Sequence, residues 1–280
     1  MTTAVELAAE TAVEPGVYDI PAELYHSDPI PGGSLSSTGA RKLVNHCPAK
    51  FRHDLDHPQP YKQVFDFGTA AHKVVLGDGP ELVLVDAARW DTNEIKARIV
   101  KIRAAGNIPL KKPDLQRVHD MATALSQHPE AAELLTPGSG QAEQSLFWPM
   151  GNVWGRARID WLREDGIVDY KSARSAHPDA IQKAVQEHGY HVQEDFYRRG
   201  AVVLGLAHEF TPFRFIFQEK EPPYLVTVAE LDFGWREIGR QLTQRALFLY
   251  ESCRDSGHWP AYTTDTALIS PPAWLERQYV

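Results

Sequence analysis

The amino-acid sequence predicts an α/β protein whose central mixed sheet is flanked by helices. Segments with helical spacing dominate the first half of the chain, and three strand-like segments follow a Pro- and Gly-rich loop at 136–140. A long helical segment, further strands and a final helix come after them. An order of helices, then a β-meander, then helix, strand and helix fits one mixed sheet with helices on its faces.

The composition indicates a folded globular protein. Hydrophobic residues make up 43% of the 280 residues and charged residues 24%, which is enough for a large core. No run approaches the ~20 apolar residues of a membrane span, so no membrane association is expected, and the acidic N-terminal stretch is unlike a signal peptide. Cys47 and Cys253 are the only cysteines, which excludes a disulfide framework and favours a cytoplasmic setting.

The first half of the chain begins with a segment in which prolines and glycines are frequent, so an irregular N-terminal arm is expected at 1–33. A serine-capped short helix at 34–47 is expected to end before Pro48, and a loop is expected at 53–60. The remaining elements predicted for this half are helices at 67–76, 91–105 and 113–127 and a strand at 82–85.

The second half is expected to contain most of the sheet. Its predicted elements are strands at 144–148, 153–162, 167–172, 213–218 and 225–231 and helices at 178–206 and 235–254. With the helical part at 34–135, the sheet and helices of 141–256 are expected to form a single domain over 34–275. The tail at 257–280 is expected to be extended.

An acid two residues before a lysine occurs twice, as Glu94-Ile95-Lys96 and Asp169-Tyr170-Lys171. Chance alone gives about one or two such pairs in a chain of this composition, so the bare pattern carries little weight. The first pair lies in a helical segment, where residues two apart point in different directions. The second lies in a predicted strand, where they share a face. Only the second pair can direct both groups to one point.

The hairpin that precedes this pair adds Asp160. A turn at Glu164-Asp165 sets Asp160 opposite Asp169, whereas a turn at Asp165-Gly166 sets it opposite Lys171. Both registers place Asp160, Asp169 and Lys171 on one face. The other face is expected to be apolar and to carry Ile159, Trp161, Val168 and Tyr170.

Two facing carboxylates indicate a cation site. Like charges opposite one another cost roughly 0.2–1 kcal/mol on an exposed sheet and more when they are desolvated. Mg²⁺ or Mn²⁺ removes that cost and prefers carboxylate ligands. Such an ion activates water and neutralises a phosphate, and Lys171 adds a charge beside it. The alternative is an ordinary solvated hairpin.

Further side chains have the spacing of a polar site. A helix from 178 carries Gln186, Tyr190, Gln193 and Tyr197 on one stripe, which suits phosphate binding. The alternative is a half-exposed helix edge. His72 follows Gly68 by one helical turn and is a candidate metal ligand if its helix packs over the carboxylates; otherwise it is a partly buried structural histidine. Glu143 is a candidate additional acid.

The formal net charge of −8 argues against a uniformly basic surface. A local basic groove is sufficient for binding phosphates. Arg156 and Arg158 are the candidates for substrate binding, and the arginines that could supply the groove with them are Arg163, Arg174, Arg198 and Arg199. The alternative is a set of solvated arginines.

Taken together, these residues resemble the PD-(D/E)xK nuclease superfamily, in particular its RecB-like branch and the phage RecE-type exonucleases (exodeoxyribonuclease VIII-like). The resemblance spans about 34–275. In chain order its elements are Gly68 to His72, Glu143, Asp160, Asp169-Tyr170-Lys171 and Gln193 to Tyr197. The segments that point to the RecE type are Leu35-Ser36-Ser37, Cys47-Pro48-Ala49-Lys50-Phe51 and Pro271-Pro272-Ala273-Trp274.

The resemblance implies a restriction-endonuclease-like core and Mg²⁺- or Mn²⁺-dependent hydrolysis of DNA. It implies that His72, Asp160 and Asp169 bind metal, that Lys171 is catalytic, with Glu143 as a further acid, and that Gln193 and Tyr197 contact the substrate. It further implies 5′-to-3′ digestion of linear duplex DNA in the host cytoplasm for phage recombination, with a single-strand-annealing protein as partner and a homo-oligomer as assembly.

Two alternatives stay open from the sequence. One is a structure-specific or single-strand nuclease with the same site, and the other is an inactive DNA- or protein-binding module on a nuclease scaffold. The chain departs from some relatives in having too few cysteines for an iron–sulfur cluster and in carrying Asp169 where Glu is frequent. It contains no P-loop motif, so no ATP use is indicated.

Overall fold

A computed structural model describes residues 13–57, 64–87 and 89–279. The strands in these ranges are β1 (Gly16–Tyr18), β2 (Ser34–Ser36), β3 (Leu82–Leu84), β4 (Ile108–Leu110), β5 (Gly140–Met150), β6 (Val153–Arg163), β7 (Ile167–Ala173), β8 (Phe213–Glu219) and β9 (Val226–Ala229). The helices in the first half are α1 (Ala22–His26), α2 (Ser37–Asn45), α3 (Pro48–Asp56), α4 (Val64–Leu76), α5 (Asn93–Ala104), α6 (Lys112–Ser126) and α7 (Pro129–Leu134). The helices in the second half are α8 (Pro178–His188), α9 (Tyr190–Val203), α10 (Phe233–Ser256) and α11 (Ala273–Glu276).

The main sheet contains seven strands in the order β1-β5-β6-β7-β8-β9, and β2 pairs with the first half of β6. The β2–β6 and β7–β8 pairs are parallel, and the other pairs in this sheet are antiparallel. A second sheet consists of the parallel strands β3 and β4. The prediction of a mixed sheet flanked by helices is confirmed.

Helices cover both faces of the main sheet because each face presents large apolar side chains. One core joins sheet residues such as Trp148 and Phe215 to α2, α8, α9 and α10. The opposite core joins Trp161, Val168 and Tyr170 to α4, α6 and α7. Helix α4 therefore lies directly over the sheet at the end of β7.

The β6–β7 hairpin has the register of a turn at Glu164-Asp165. Trp161 pairs with Val168 and Leu162 with Ile167, and the backbone N–H of Arg163 donates to the carbonyl of Gly166 over 3.0 Å. The ladder ends after those two pairs. Strand β7 then separates from β6 and continues alongside β8.

The regular alternation of faces is interrupted at the same level. Glu143 has a left-handed backbone, with φ of 52°, and is skipped in the otherwise constant β5–β6 register. Ile159 consequently lies in the core with Phe215, whereas Trp161 lies in the opposite core. The expectation that Ile159 shares an apolar face with Trp161, Val168 and Tyr170 was therefore wrong.

The long helix expected at 178–206 is two helices. Gly189 ends α8 with φ of 67°, and a Cβ at this position would lie 2.8 Å from Cδ of Arg41. Both facts favour glycine. The bend separates Gln186 from the part of the polar stripe that follows it.

Several other local expectations are corrected. The serine-capped helix expected before Pro48 is present as α2, which ends at Asn45. The loop expected at 53–60 is wrong in its first part, because Pro48 starts the further helix α3, as proline suits a first helical turn; 53–56 is therefore helical, and 58–60 lies outside the described residues. The arm at 1–33, described from residue 13, contains β1, which pairs with β5, and α1. In the tail, α11 is a short helix. Strand β4 and helix α7 were not predicted. No helix in the described part of the chain is both long and apolar enough to cross a membrane.

Candidate metal centre

A cleft of about 990 Å³ opens where β6 and β7 separate. Helix α4 contributes Gly68, Thr69 and His72 to its lining, and the sheet contributes Glu143 and Asp160. The segment between α5 and β4 forms another wall. The cleft is large enough to admit part of an extended polymer chain.

His72, Glu143 and Asp160 form a compact set of possible metal ligands. One ligand atom from each lies within 4.8 Å of the others. Nδ1 of His72 is 3.6 Å from Oδ2 of Asp160 and 3.9 Å from Oε1 of Glu143. Three separate elements, α4, β5 and β6, supply these groups, which explains why the sequence spacing is so wide.

A small residue allows α4 to bring His72 this close. Ala71 is fully buried against the sheet, whereas a Cβ at Gly68 would be at ordinary contact distance, 4.0 Å from Oγ of Ser172. The His72 ring lies edge-on to Tyr170, with centroids 5.2 Å apart. The sequence condition for a ligand role, that this helix packs over the carboxylates, is met.

Asp160 lies where the β6–β7 ladder stops. Its Oδ2 accepts a hydrogen bond from the backbone N–H of Tyr170 over 2.8 Å, which replaces a backbone–backbone bond that the diverging strands no longer make. The side chain thus holds the separation open and presents its carboxylate to the cleft.

Glu143 is held by its cross-strand neighbour. Nε of Arg158 donates to Oε2 of Glu143 over 2.6 Å, and Nη1 of Arg158 donates to the carbonyl of Ile20 over 2.8 Å. The other oxygen of Glu143, Oε1, faces His72. The Glu143 carboxylate therefore binds the Arg158 guanidinium through one oxygen and faces the ligand cluster with the other.

Asp169 and Lys171 form a buried ion pair next to this cluster. Nζ of Lys171 lies 2.6 Å from Oδ2 of Asp169, and Nε2 of Gln193 donates to Oδ1 of Asp169 over 2.6 Å. The ammonium also lies 5.1 Å from the ring centroid of Tyr190, a favourable cation–π distance. Helix α9 therefore fixes the pair from the opposite face of the sheet.

The electrostatics show an excess of negative charge at the cluster. Burial, followed by the charge of Asp169, raises the pKa of Asp160 to about 8. Burial and the charge of Asp160 raise the pKa of Glu143. Burial lowers the pKa of His72 and so favours the neutral imidazole. Burial acts to lower the pKa of Lys171, but Asp169 and Asp160 raise it overall.

These properties suit a divalent cation. Two carboxylates with raised pKa values relieve their repulsion when a cation lies between them, and a neutral imidazole is the form that binds metals. The residues that would hold Mg²⁺ or Mn²⁺ are His72, Glu143 and Asp160. Asp169, which was expected among the ligands, lies outside this set because its two oxygens face Lys171 and Gln193. The donor set therefore fits the ion that the resemblance implies.

Tyr197, which was expected to contact the substrate, makes no hydrogen bond with these ligands in the described part of the chain, although the charges of Asp169 and Asp160 reach it. Its side chain is buried in the core near Phe213, with ring centroids 6.4 Å apart, and burial raises its pKa well above the usual value. Gln186 is exposed on α8. Of the predicted polar stripe, only Tyr190 and Gln193 contact the Asp169–Lys171 pair.

The expected basic groove is not formed by the predicted arginines. Arg156 binds Asp28 and Ser34, and Arg158 binds Glu143, because the N-terminal arm and β5 cover that part of β6. Three others are paired locally, as Arg163 with Asp165, Arg198 with Glu194 and Arg199 with Asp195. Arg158 alone among the six also lines the cleft.

Several polar residues of the cleft were missed, among them two at the ends of parallel strands. Ser172 and Lys220 line it at the ends of β7 and β8. These strands are parallel, so their carboxyl ends meet at one edge of the sheet. The helical crossover between the two predicted strands was the available signal for this arrangement.

Comparisons with known proteins agree with this architecture. A family model described as a "PDDEXK-like domain of unknown function" matches residues 36–270. A crystal structure of a "Putative exonuclease" from Eubacterium rectale aligns with a TM-score of 0.62 at 11% identity, covering 92% of this chain and 98% of that chain. At that identity the likeness shows the fold. A search of curated protein sequences gave no significant match.

Proposed function

The chain belongs to this family of PDDEXK-like domains, and from that premise we propose that it is a metal-dependent DNA exonuclease. The observation that carries the proposal is the ligand set of His72, Glu143 and Asp160 within 4.8 Å, next to the Asp169–Lys171 pair. Carboxylates and an imidazole in one cleft, with a lysine beside them, are the groups that metal-assisted phosphodiester hydrolysis needs.

Each residue has a proposed role. His72, Glu143 and Asp160 hold the ion, and Asp169 adds negative charge beside it while it orients Lys171. Bound Mg²⁺ or Mn²⁺ would activate water and stabilise the charge that develops on the phosphate. The ammonium of Lys171 would bind a phosphate oxygen or position the attacking water. Gln193 keeps Asp169 in place, and its role is therefore positioning.

Incubation with 5′-phosphorylated linear duplex DNA and Mg²⁺ or Mn²⁺ tests the proposal. We expect nucleotide release by the wild type, and a loss of at least about 100-fold for Asp160→Ala and Lys171→Ala. Lys183→Ala, on the exposed side of α8, is the matched control and should keep its activity. Equal absence of cleavage in the wild type and both site variants would contradict the proposal.

The type of substrate forms a finer part of the proposal. By its resemblance to RecE-type enzymes, the chain is proposed to degrade linear duplex DNA from 5′ to 3′ and to supply single strands for phage-type recombination. End-labelled duplexes give the polarity, and covalently closed circles and flaps separate an exonuclease from a structure-specific nuclease. Cleavage of circles at the rate of linear DNA would contradict the exonuclease assignment.

The proposed partners follow from the same resemblance. A homo-oligomer is expected, together with a single-strand-annealing protein that receives the product. Light scattering on the purified chain measures the first, and stimulation of strand annealing in a coupled reaction measures the second. A monomer at all protein concentrations would remove the oligomer from the proposal without affecting the nuclease.

A further inference from the structure

One segment of this acidic protein carries a clear excess of positive charge. Residues 95–113, which we call the basic segment, contain six Lys and Arg residues and no Asp or Glu. The rest of the chain has the other 23 of the 29 Lys and Arg residues against all 37 acids. The cations of the basic segment are Lys96, Arg98, Lys101, Arg103, Lys111 and Lys112.

These cations differ from the arginines of the sheet in their pairing. In the described part of the chain, Lys96, Lys101 and Lys112 have neither an ion pair nor a hydrogen bond from the side chain. Arg98 reaches only the carbonyl of Leu84, over 3.5 Å, and Lys111 lies 5.4 Å from the ring centroid of Trp90. All five are exposed. Their charges are thus available to a ligand.

The basic segment forms a wall of the cleft. Arg103, Gly106, Asn107 and Ile108 line the same opening as His72 and Asp160. Lys96 precedes Arg103 by seven residues of α5, about two turns, and so shares its face. Lys111 and Lys112 follow directly after β4, which leads away from Ile108. Charged residues therefore precede and follow, along the chain, the residues that line the cleft.

We propose that the basic segment binds the phosphate backbone of the DNA that enters the cleft. This inference rests on the proposed function and names the surface that holds its substrate. From Lys96 to Arg103 the helix rises about 10 Å, which matches about three phosphates at 3.4 Å of rise per nucleotide. Lys220, on the sheet side of the same opening, provides a further cation close to the metal ligands.

The test is a triple variant, Lys96→Gln/Lys111→Gln/Lys112→Gln, with a control of equal charge, Lys183→Gln/Arg245→Gln/Arg277→Gln. The control residues are exposed and form no ion pair in the described ranges. Lys111 and Lys112 lie at the start of α6, where removal of a cation does not oppose the helix dipole. Circular dichroism melting confirms that both variants are folded.

Binding of the full chain to a fluorescent 20-base-pair duplex is measured in EDTA by anisotropy, between 50 and 300 mM KCl. Each lost phosphate contact flattens the slope of log K against log salt by about 0.9. We expect the triple variant to lose about two to three units of slope and at least tenfold in affinity at low salt. The control should bind as the wild type does.

The outcomes separate this inference from the proposed function. Binding without cleavage in Mg²⁺ or Mn²⁺ would contradict the nuclease and leave the DNA surface standing. If the wild type cleaves DNA and the triple variant binds DNA as well as the wild type does, the proposed role of the basic segment is overturned while the nuclease stands. An equal loss of binding in the control variant, or no DNA binding at all, would also overturn that role. A variant that loses binding to phosphatidylserine vesicles but keeps DNA binding would assign the surface to membranes instead.

Discussion

The carboxylate of Asp160 has two opposite effects on the stability of the fold. It caps the backbone of β7 through the Tyr170 N–H, and it lies buried beside two other acids. Its pKa is raised to about 8, first by burial and then by Asp169, so in the metal-free site ionisation of this carboxyl group is unfavourable and its protonated form prevails at neutral pH. A residue that stabilises a strand junction here also makes the fold dependent on a cation or a proton.

The stability of the metal-free protein should accordingly fall as pH rises. The unfolded Asp160 titrates near pH 4 and the folded one near pH 8, so its favourable contribution is complete below pH 4 and is lost towards pH 8. Asp160→Asn keeps the hydrogen-bond acceptor but does not titrate. In EDTA, we expect the free energy of unfolding of this variant, relative to that of the wild type, to increase by more than about 2 kcal/mol between pH 5 and pH 8.

Urea unfolding of both proteins across this range measures the difference, and Mn²⁺ should restore the wild type but not the variant. If the free energies of unfolding of the two proteins changed in parallel with pH in EDTA, ionisation of Asp160 would not be the cause of the loss in stability. Because Asp160→Asn also removes a proposed ligand, it should be inactive as a nuclease while being the more stable protein at pH 8.

Gln193 should matter through Asp169. Gln193→Ala removes the donor to a buried carboxylate oxygen, which costs about 1–3 kcal/mol of stability and is expected to lower activity by about 10- to 100-fold through the position of Lys171. Gln186→Ala is the matched control, since Gln186 is exposed on α8. Similar effects of the two substitutions on thermal unfolding would rule out this role.

At the level of elements, the sequence was informative wherever local rules acted alone. The strand pattern and a short turn were enough to place Asp160, Asp169 and Lys171 on one hairpin, whereas the interruption of the alternation beside Glu143 was not predicted. The break at Gly189 was missed because an isolated glycine also occurs inside helices, and the sequence around it does not reveal its left-handed backbone. Strand β4 contains Pro109, which normally argues against a strand.

The misassigned arginines show a limit that local rules do not overcome. Arg156 and Arg158 alternate with apolar residues on β6, which is also the pattern of a solvent-facing or ligand-facing side. Their actual partners, Asp28 and the carbonyl of Ile20, come from the N-terminal arm. Such contacts between distant segments depend on the tertiary fold, and the spacing of residues in β6 does not predict them.

The packing of α9 on α10 depends on a close backbone approach. A Cβ at Gly239 would lie 2.2 Å from the carbonyl oxygen of His191, an atom that cannot rotate away. We expect Gly239→Ala to destabilise the protein by about 1–3 kcal/mol and to loosen the packing of α9, the helix that carries Gln193. In Gly234→Ala, earlier in the same helix, the nearest atom is 3.4 Å away, so that variant should be near neutral in chemical denaturation.

At the level of the whole molecule, the chain end is divided into an attached and an exposed part. Trp259 stacks on Phe51 with ring centroids 5.5 Å apart, and the carbonyl of Pro260 accepts the N–H of Ala49 over 3.0 Å. Beyond them, Leu268 is 95% and Tyr279 is 84% exposed. Only the first part contributes to the core around α3 and α10.

Two truncations test this division. A chain that ends at Thr263 should melt at the temperature of the full chain, because the described residues that it loses are exposed apart from the half-buried Leu275. A chain that ends at Gly257 loses the Trp259 contact and should be less stable by roughly 2 kcal/mol or more. Calorimetry measures both, and equal melting temperatures for the two truncations would contradict the proposed contribution of Trp259.

The opening between β6 and β7 has a practical consequence. The Tyr170 amide proton is bonded to Oδ2 of Asp160, the same atom that lies nearest to His72 in the ligand set. An ion that draws on this oxygen weakens the bond, so the rate at which that one amide exchanges with deuterium should rise as the ion binds. The exchange rate of this amide, measured by nuclear magnetic resonance, should therefore report whether the ion is bound, with no substrate present.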